Sequence, residues 1–331
     1  MSPASYLTAP PRDVGASIAP GSLTCVRVAA IDLGTNSTRL LVADVADGRV
    51  EELHRETRIT CLGEGVDERR RLLPLPVARV RNVLSDFRRT AEELGAERAL
   101  AVATSAVRDA ENGEAFLGEV EWSYGFATQL LSGDDEARMT LRGVTSGRKL
   151  GAGTVVLDVG GGSTELIDDE RRISLDLGSV RLTERFLHAD PPGPEEVVAC
   201  RGAVGSALPE LHPTRLIGVA GTVTTLAALE LGRYDPELVH GYHLTREAVE
   251  RQLERLVSLP LADRRKLPGL EPERAPVIVG GAAIVAEALA HAGLDGLEVS
   301  EHDLLTGAAL AAAELPEPTE GDAPPGAYTC C

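Results

Sequence analysis

Residues 158–167 read DVGGGSTELI, and residues 32–41 read DLGTNSTRLL. Both fit Asp-x-Gly-x-(Asn/Gly)-Ser-Thr-x-Leu-aliphatic, 126 positions apart. Each follows a short apolar run, TVVL before the one and VRVAAI before the other. A strand that delivers an Asp into a tight Gly-Ser-Thr turn and then re-enters a strand is a phosphate-holding device. Glycine lets the main chain approach an anion, and the turn N–H and hydroxyl groups point at it. One such turn is common. Two in register over ten positions predict two half-molecules facing each other with phosphate between them. The copies differ at one telling place, where Arg39 of the first stands opposite Glu165 of the second. That opposition predicts a division of labour, with one turn holding phosphate and the other metal.

Working outward, each copy opens a similar run of elements. RLLVADV, an Asp47-Gly48 hairpin turn and VEELHRETR follow the first; TELIDD, a turn and RRISLDLG follow the second. Residues 60–75 read as loop. Val77, Val80, Val83, Leu84, Phe87 and Leu94 recur at helical spacing over 76–95, closed by Gly95. RALAVATSAV reads as a buried strand, and a helix is expected to begin at Gly133-Asp134. Downstream, helices are expected near 179–188, 194–209 and 246–259, with a third small-residue turn at Gly221-Thr222. ERAPVIVGGAAIVAEALAHAG reads as a buried helix with a Gly280-Gly281 contact face. Alternation of strands and helices predicts α/β layers. The first domain is expected over 25–131 and the second over 132–301. The closing helix, 302–315, is expected to pack back onto the first. Residues 1–24 read as a flexible extension, and 316–331 as a disordered Pro/acidic tail.

Bulk composition sets limits. The chain has 331 residues, 43% of them hydrophobic and 25% charged, which suits about two soluble globular domains. Aromatics are only 3%, so the core must be aliphatic. A net charge of −18 repels nucleic acid and anionic membrane, so a polyanionic substrate would need a local positive cleft or a bound metal. Cys25, Cys61, Cys200, Cys330 and Cys331 form no zinc or disulfide pattern. No apolar run reaches membrane-spanning length, and the start lacks the pattern of a signal peptide. A cytoplasmic location is the expectation, with neither nucleic acid nor membrane as partner.

Taken together, AAIDLGTNSTRLLVADV, AVATSAVRDAENG, LLSGDDEARMTLRGV, VVLDVGGGSTELI, LGSVRLTERF, GVAGTVTTLAAL and ERAPVIVGGAAIV resemble the exopolyphosphatase / guanosine pentaphosphate phosphohydrolase family. The matching pieces cover about residues 25–315. The resemblance implies an α/β fold of duplicated ribonuclease-H-like domains flanking a cleft, as in the actin, Hsp70 and sugar kinase superfamily. It also implies release of terminal phosphate from a polyphosphate chain. By motif, Glu136 in SGDDEAR resembles the family's catalytic carboxylate. Asp158 and Glu165 resemble its magnesium-associated acids, Asp158 being counted with Glu136 in the catalysis. The turns Gly34, Thr35, Asn36, Ser37 and Gly160, Gly161, Gly162, Ser163, Thr164, with Asp32 before the first, resemble its phosphate grip. Arg108 in TSAVRDA resembles its substrate-contacting arginine. Longer members carry further C-terminal helical domains, and this chain ends near the close of the second domain. Short chains or a nucleotide are therefore expected as substrate. A homodimer is carried over by analogy.

The chemistry is consistent with these residues. Phosphoanhydride hydrolysis is mostly positioning and charge stabilisation. Asp158 and Glu165 suit an oxygen-only, partly hydrated Mg²⁺ or another divalent cation, Glu136 suits activation of water, and Arg108 suits pairing with the transferred phosphoryl group. On spacing alone, Glu136 is an ordinary first-turn helix acid and Arg108 a surface ion-pair arginine; the resemblance reverses both readings. Gly221 and Thr222 read equally as a third phosphate contact or an N-capped turn. His240 and His243 read as structural. Linear polyphosphate is the leading substrate and guanosine pentaphosphate the alternative. A kinase is disfavoured by the water-orienting acid of SGDDEAR, and a non-hydrolytic phosphate or nucleotide sensor by the full set of acids.

Overall fold

The computed structural model describes residues 25–317 except 169. The N-terminal extension at 1–24 and the tail from 318, with Cys330 and Cys331, lie outside the described residues.

In the first lobe, β1 (Val26–Leu33) passes through the Gly34–Asn36 turn into β2 (Ser37–Ala46). Asp47 and Gly48, both at positive φ (53° and 71°), make the two-residue hairpin to β3 (Arg49–Ile59). Residues 60–75 are not all loop: α1 (Val66–Arg69) forms there, capped at each end by a left-handed residue. Then come α2 (Pro74–Glu93), β4 (Arg98–Ala103), α3 (Ser105–Arg108), α4 (Gly113–Tyr124) and β5 (Ala127–Leu130). The sheet runs β3-β2-β1-β4-β5, with β1 antiparallel to β2 and parallel to β4.

The second lobe repeats this plan. It contains α5 (Gly133–Val144), β6 (Thr154–Val159), β7 (Thr164–Ile167), β8 (Arg172–Leu175), α6 (Ser179–Phe186), α7 (Pro194–Ala207), β9 (Arg215–Val219) and α8 (Ala220–Leu231). It continues with α9 (Pro236–Val239), β10 (His243–Thr245), α10 (Arg246–Ser258), α11 (Leu261–Arg264), α12 (Ile278–Ala292) and β11 (Gly296–Val299), after which α13 (Leu304–Ala312) returns to pack on the first sheet. The sheet order is β10-β11-β9-β6-β7-β8. Without the added antiparallel edge β10, it matches the first sheet strand for strand. Asp32 pairs across the strands with Arg39, and Asp158 pairs with Glu165 in the equivalent register.

Both central strands are buried on both faces, as strands covered by helices on each side must be. Along β1, Ala29, Ile31 and Leu33 pack with Val80, Leu84 and Phe87 of α2. Val28 and Ala30 pack on the other face with Leu305, Ala308 and Ala309 of α13. Along β6, Val155, Leu157 and Val159 enter the large second-lobe core, while Val156 meets Ala137 and Val144 of α5. The helix after each sheet's last parallel strand therefore covers the opposite sheet. These two helices cross at glycines: Gly143 has no room for a Cβ beside the Asp303 carbonyl, nor Gly307 beside that of Met139. The same reasoning explains Gly280 and Gly281 of α12, which lie against the Ser179 carbonyl and the Thr222 side chain at 2.8 and 2.6 Å from the position a Cβ would take. Period-two alternation places Asp32 and Asp158 on the faces that α13 and α5 cover. No helix among the described residues is long and apolar enough to cross a membrane.

Candidate active site

The parallel strands of both sheets end on one cavity of about 550 Å³. Crevices at the carboxyl ends of parallel strands are where α/β sheets bind ligands, because helix N-termini and turn N–H groups collect there. Both turns reach it and touch each other. A Cβ on Gly161 would sit 2.9 Å from the Thr35 Cβ, and one on Gly162 would sit 2.8 Å from the Thr35 Oγ1. These glycines make room for the opposite turn. Gly34 and Gly160 instead close their own turns, donating to the carbonyls of Ser37 and Ser163 at 3.0 Å each. Among the described residues, no backbone acceptor takes the N–H of Thr35, Asn36, Gly161 or Gly162.

Of the residues expected at the site, Asp32, Gly34, Thr35, Asn36, Ser37, Glu136, Asp158, Gly160, Gly161, Gly162, Ser163, Gly221 and Thr222 line this cavity. Gly221 and Thr222 are the first turn of α8 rather than a separate turn. No side chain caps that helix, so its leading N–H groups face the cavity with the positive end of the helix dipole. Ala220, the first residue of α8, is held at φ 67°, a left-handed conformation unusual for alanine.

Three of the expected residues are set off the cavity wall. Thr164 is fully buried on β7, and its hydroxyl donates to the Leu177 carbonyl at 2.6 Å, so it turns away from the cavity. Glu165 is also off the wall, accepting from the Ser174 hydroxyl at 2.8 Å behind Asp158. Arg108 is not on the wall either; its Nη1 donates to Glu136 at 3.0 Å and to the Leu131 carbonyl at 2.8 Å, which pairs it with the acid. Arg39, the odd member of the paired turns, lines the cavity too. Arg39 donates to Asp32 at 2.8 Å and pairs with Asp303, the N-cap of α13, which leaves its guanidinium already paired.

The second turn is organised from α5. Glu136 sits in its first turn, only 7% exposed, and Thr140 one turn later donates to Asp158 at 2.9 Å. The i, i+4 spacing puts both on the face toward β6. Burial pushes Glu136 up to about 7, against the pull of Arg108 and with the help of nearby Asp158. Burial likewise raises Asp158 to about 7, with Asp303 adding to the effect. Glu165 is raised well above the usual carboxylate range by burial and by its two acid neighbours. Asp32 is raised by burial despite Arg39, and its Oδ1 has no hydrogen-bond partner. Crowded, desolvated carboxylates that resist ionisation are acids a hard divalent cation would stabilise, although no three metal-ligating side chains among the described residues converge on one point.

Sequence reading missed the residues that arrive from far along the chain. Asp303, Arg55, Glu301, Tyr234 and Arg274 all line the cavity. The Arg274 side chain lies against Gly221, and its nearest ion-pair partner is Glu271 at 3.6 Å. Three arginines, Arg39, Arg55 and Arg274, and the uncapped helix terminus answer six carboxylates on the wall, Asp32, Glu136, Asp158, Glu271, Glu301 and Asp303, so a polyanion there would still need a bound cation. Only Thr140 carried a legible signal, its i+4 spacing from Glu136.

Residues 41–311 match the Ppx/GppA phosphatase family. The chain is 41% identical over 319 residues to exopolyphosphatase 2 of Mycobacterium tuberculosis, an alignment spanning 88% of this chain and all of that protein. Among solved structures it is similar to the Aquifex aeolicus Ppx/GppA family member, with 34% identity, a TM-score of 0.72 and coverage of 88% of this chain and 98% of that one. An exopolyphosphatase from Cytophaga hutchinsonii superposes with a TM-score of 0.76 at 25% identity, over 85% and 96% of the two chains.

Proposed function

The chain belongs to the Ppx/GppA phosphatase family, and we propose that it is an exopolyphosphatase that removes the terminal phosphate of linear inorganic polyphosphate. The observation that carries this reading is the placement of Glu136. It is a buried carboxylate beside two phosphate turns, held by Arg108. The terminal phosphoryl group is bound by the N–H groups of Thr35, Asn36, Gly161 and Gly162. The preceding phosphates run toward the N-terminus of α8 and Arg274. Glu136 accepts a proton from water as the water oxygen attacks the terminal phosphorus in line. The anhydride P–O bond breaks with its electron pair on the leaving oxygen, releasing orthophosphate and a chain one unit shorter. A pKa of about 7 suits a general base working near neutral pH.

Asp158 and the free Oδ1 of Asp32 are the groups that would hold Mg²⁺ or another divalent cation, with Glu165 behind Asp158 supporting the charge. Such a cation supplies neutralisation of phosphate oxygens. Guanosine pentaphosphate is not favoured, because the relative at 41% identity is named an exopolyphosphatase. Phosphate release from tripolyphosphate, long-chain polyphosphate, guanosine pentaphosphate and ATP, each with Mg²⁺, tests the reading. Release from the polyphosphates is expected, and turnover of the guanosine nucleotide alone overturns it.

A further inference from the structure

We propose that Arg181 is a positioning residue that fixes the second phosphate turn against the first lobe; this rests on the exopolyphosphatase reading of the same site. Arg181 lies in the first turn of α6, outside the cavity wall, and is 6% exposed. Its Nε donates to the Gly162 carbonyl at 2.7 Å, inside the second turn. Its other two nitrogens leave the lobe. Nη1 pairs with Asp67 of α1, and Nη2 donates to Asp109 beside α3 at 2.6 Å and lies 3.4 Å from the Ser105 hydroxyl. One planar fork therefore ties a glycine of the second turn to two carboxylates and a hydroxyl of the first lobe.

The surroundings make this tie specific. Gly178, before α6, has no room for a Cβ beside the Gly161 carbonyl, and the N–H groups of Ser179 and Val180 bond the carbonyls of Gly160 and Gly161 at 3.0 and 2.8 Å. The start of α6 thus takes the carbonyl side of the turn, leaving its N–H side to the cavity. Arg185, one turn on, donates to Asp67 at 2.5 and 2.7 Å, and Glu184 accepts from the Gly65 N–H at 2.9 Å. Those two contacts are peripheral and exposed. Among the described residues, Arg181 is the side chain whose hydrogen bonds join the turn itself to the opposite lobe, beyond the packing of the two turns, and a fork of five fixed N–H donors does this where a lysine ammonium cannot.

The test compares Arg181→Lys, Asp109→Asn and Arg185→Met with the unaltered protein, using tripolyphosphate and Mg²⁺. Misplacement of one phosphate-binding turn predicts a kcat lower by roughly 30- to 100-fold in Arg181→Lys, with KM changed less than about fivefold. Asp109→Asn is expected to lose about tenfold in kcat, and Arg185→Met less than about threefold. Amide hydrogen exchange at Gly161–Ser163 is expected to quicken in the first two variants, a readout that requires no turnover. If the unaltered protein releases no phosphate, the exopolyphosphatase reading fails and exchange alone decides the positioning role. A kcat within threefold of the unaltered protein in a folded Arg181→Lys, or unchanged exchange, overturns the proposal. Should Arg181→Lys not fold, Asp109→Asn decides by the same two readouts.

Discussion

The two copies of the strand–turn–strand unit share register, turn closure and burial, yet they place opposite chemistry on the cavity. In the first, Asp32 faces Arg39 across the strands, and Arg39 is bound in turn by Asp303 from α13. Asp303 itself is buried, but Arg39 holds it below the ordinary carboxylate range. In the second, Asp158 faces another acid, Glu165, and α5 brings a third, Glu136. Arg108 pairs with Glu136, and Arg39 of the first copy acts on Asp158 from across the cavity without an ion pair to it. One copy is a closed ion-pair chain; the other is a cluster of acids raised by burial and by one another. Duplication supplies the scaffold, and the crossing helices supply the asymmetry that pairs the acid of one half with an arginine and gathers the acids of the other.

The largest effect is expected where the asymmetry is greatest. Glu136→Gln keeps the shape and removes the proton acceptor, so kcat should fall about 1,000-fold with little change in KM. Steady-state kinetics on tripolyphosphate checks this, and a rate near normal would make the second copy no more reactive than the first. Glu165→Gln probes the same cluster one layer back. It removes charge that supports a cation at Asp158, so the Mg²⁺ concentration for half-maximal rate should rise roughly 10- to 100-fold, as for outer-shell groups generally. Titration of the rate with Mg²⁺ measures it, and an unchanged midpoint would leave Glu165 a purely structural partner of Ser174.

What could be read from the chain follows from range. Each turn is a ten-residue local pattern, so the duplication, the two sheets and most of the turn residues that line the cavity were legible, and the α/β architecture followed from alternation. Glu136 was legible only through family resemblance, because a first-turn helix acid is common. Arg39 was seen as the odd member of the pair, but its second partner, Asp303, lies 264 residues away and was not legible. Thr164 was misassigned because the strand resumes at that residue, and alternation turns its hydroxyl to the opposite face. Arg55 and Glu301 sit in segments with no motif, and Arg274 sits in ERAPVIVGGAAIV, a piece read only as a buried helix with a glycine contact face; only the fold brings all three to the cavity.

The turns differ again where they touch. The first carries Thr35 and Asn36, and the second carries Gly161 and Gly162 at the equivalent positions. Side chains of one fill the space left by the other. Gly162→Ala would drive a methyl into Ser105 and Thr35 and should lower kcat by roughly tenfold by spreading the turns. Ser105→Ala removes the nearest obstacle, so the double variant should recover much of the rate. Full activity in Gly162→Ala alone would mean that the turns do not work in contact.

The smallest effect is expected on the side of the first copy and concerns stability. Glu301, two residues before Asp303, accepts from the Tyr234 hydroxyl at 3.1 Å and lines the cavity near Arg55. Burial pushes its carboxyl up to about 7 from 4.5, with Arg55 pulling the other way. A carboxyl whose folded pKa is raised binds its proton more tightly when folded. Its contribution is fully present below pH 4.5 and is lost as the pH climbs through 7. Glu301→Gln cannot ionise, so it should match the unaltered protein near pH 4.5 and exceed it at pH 8. The difference should be on the order of 1–2 kcal/mol, the full shift being discounted for partial solvent access. Denaturant unfolding at the two pH values reads the difference. If the first copy is a support, kcat should stay within about threefold in this variant, whereas a large loss of turnover with no pH-dependent stability gain would move Glu301 into the reaction centre and dissolve the contrast between the copies.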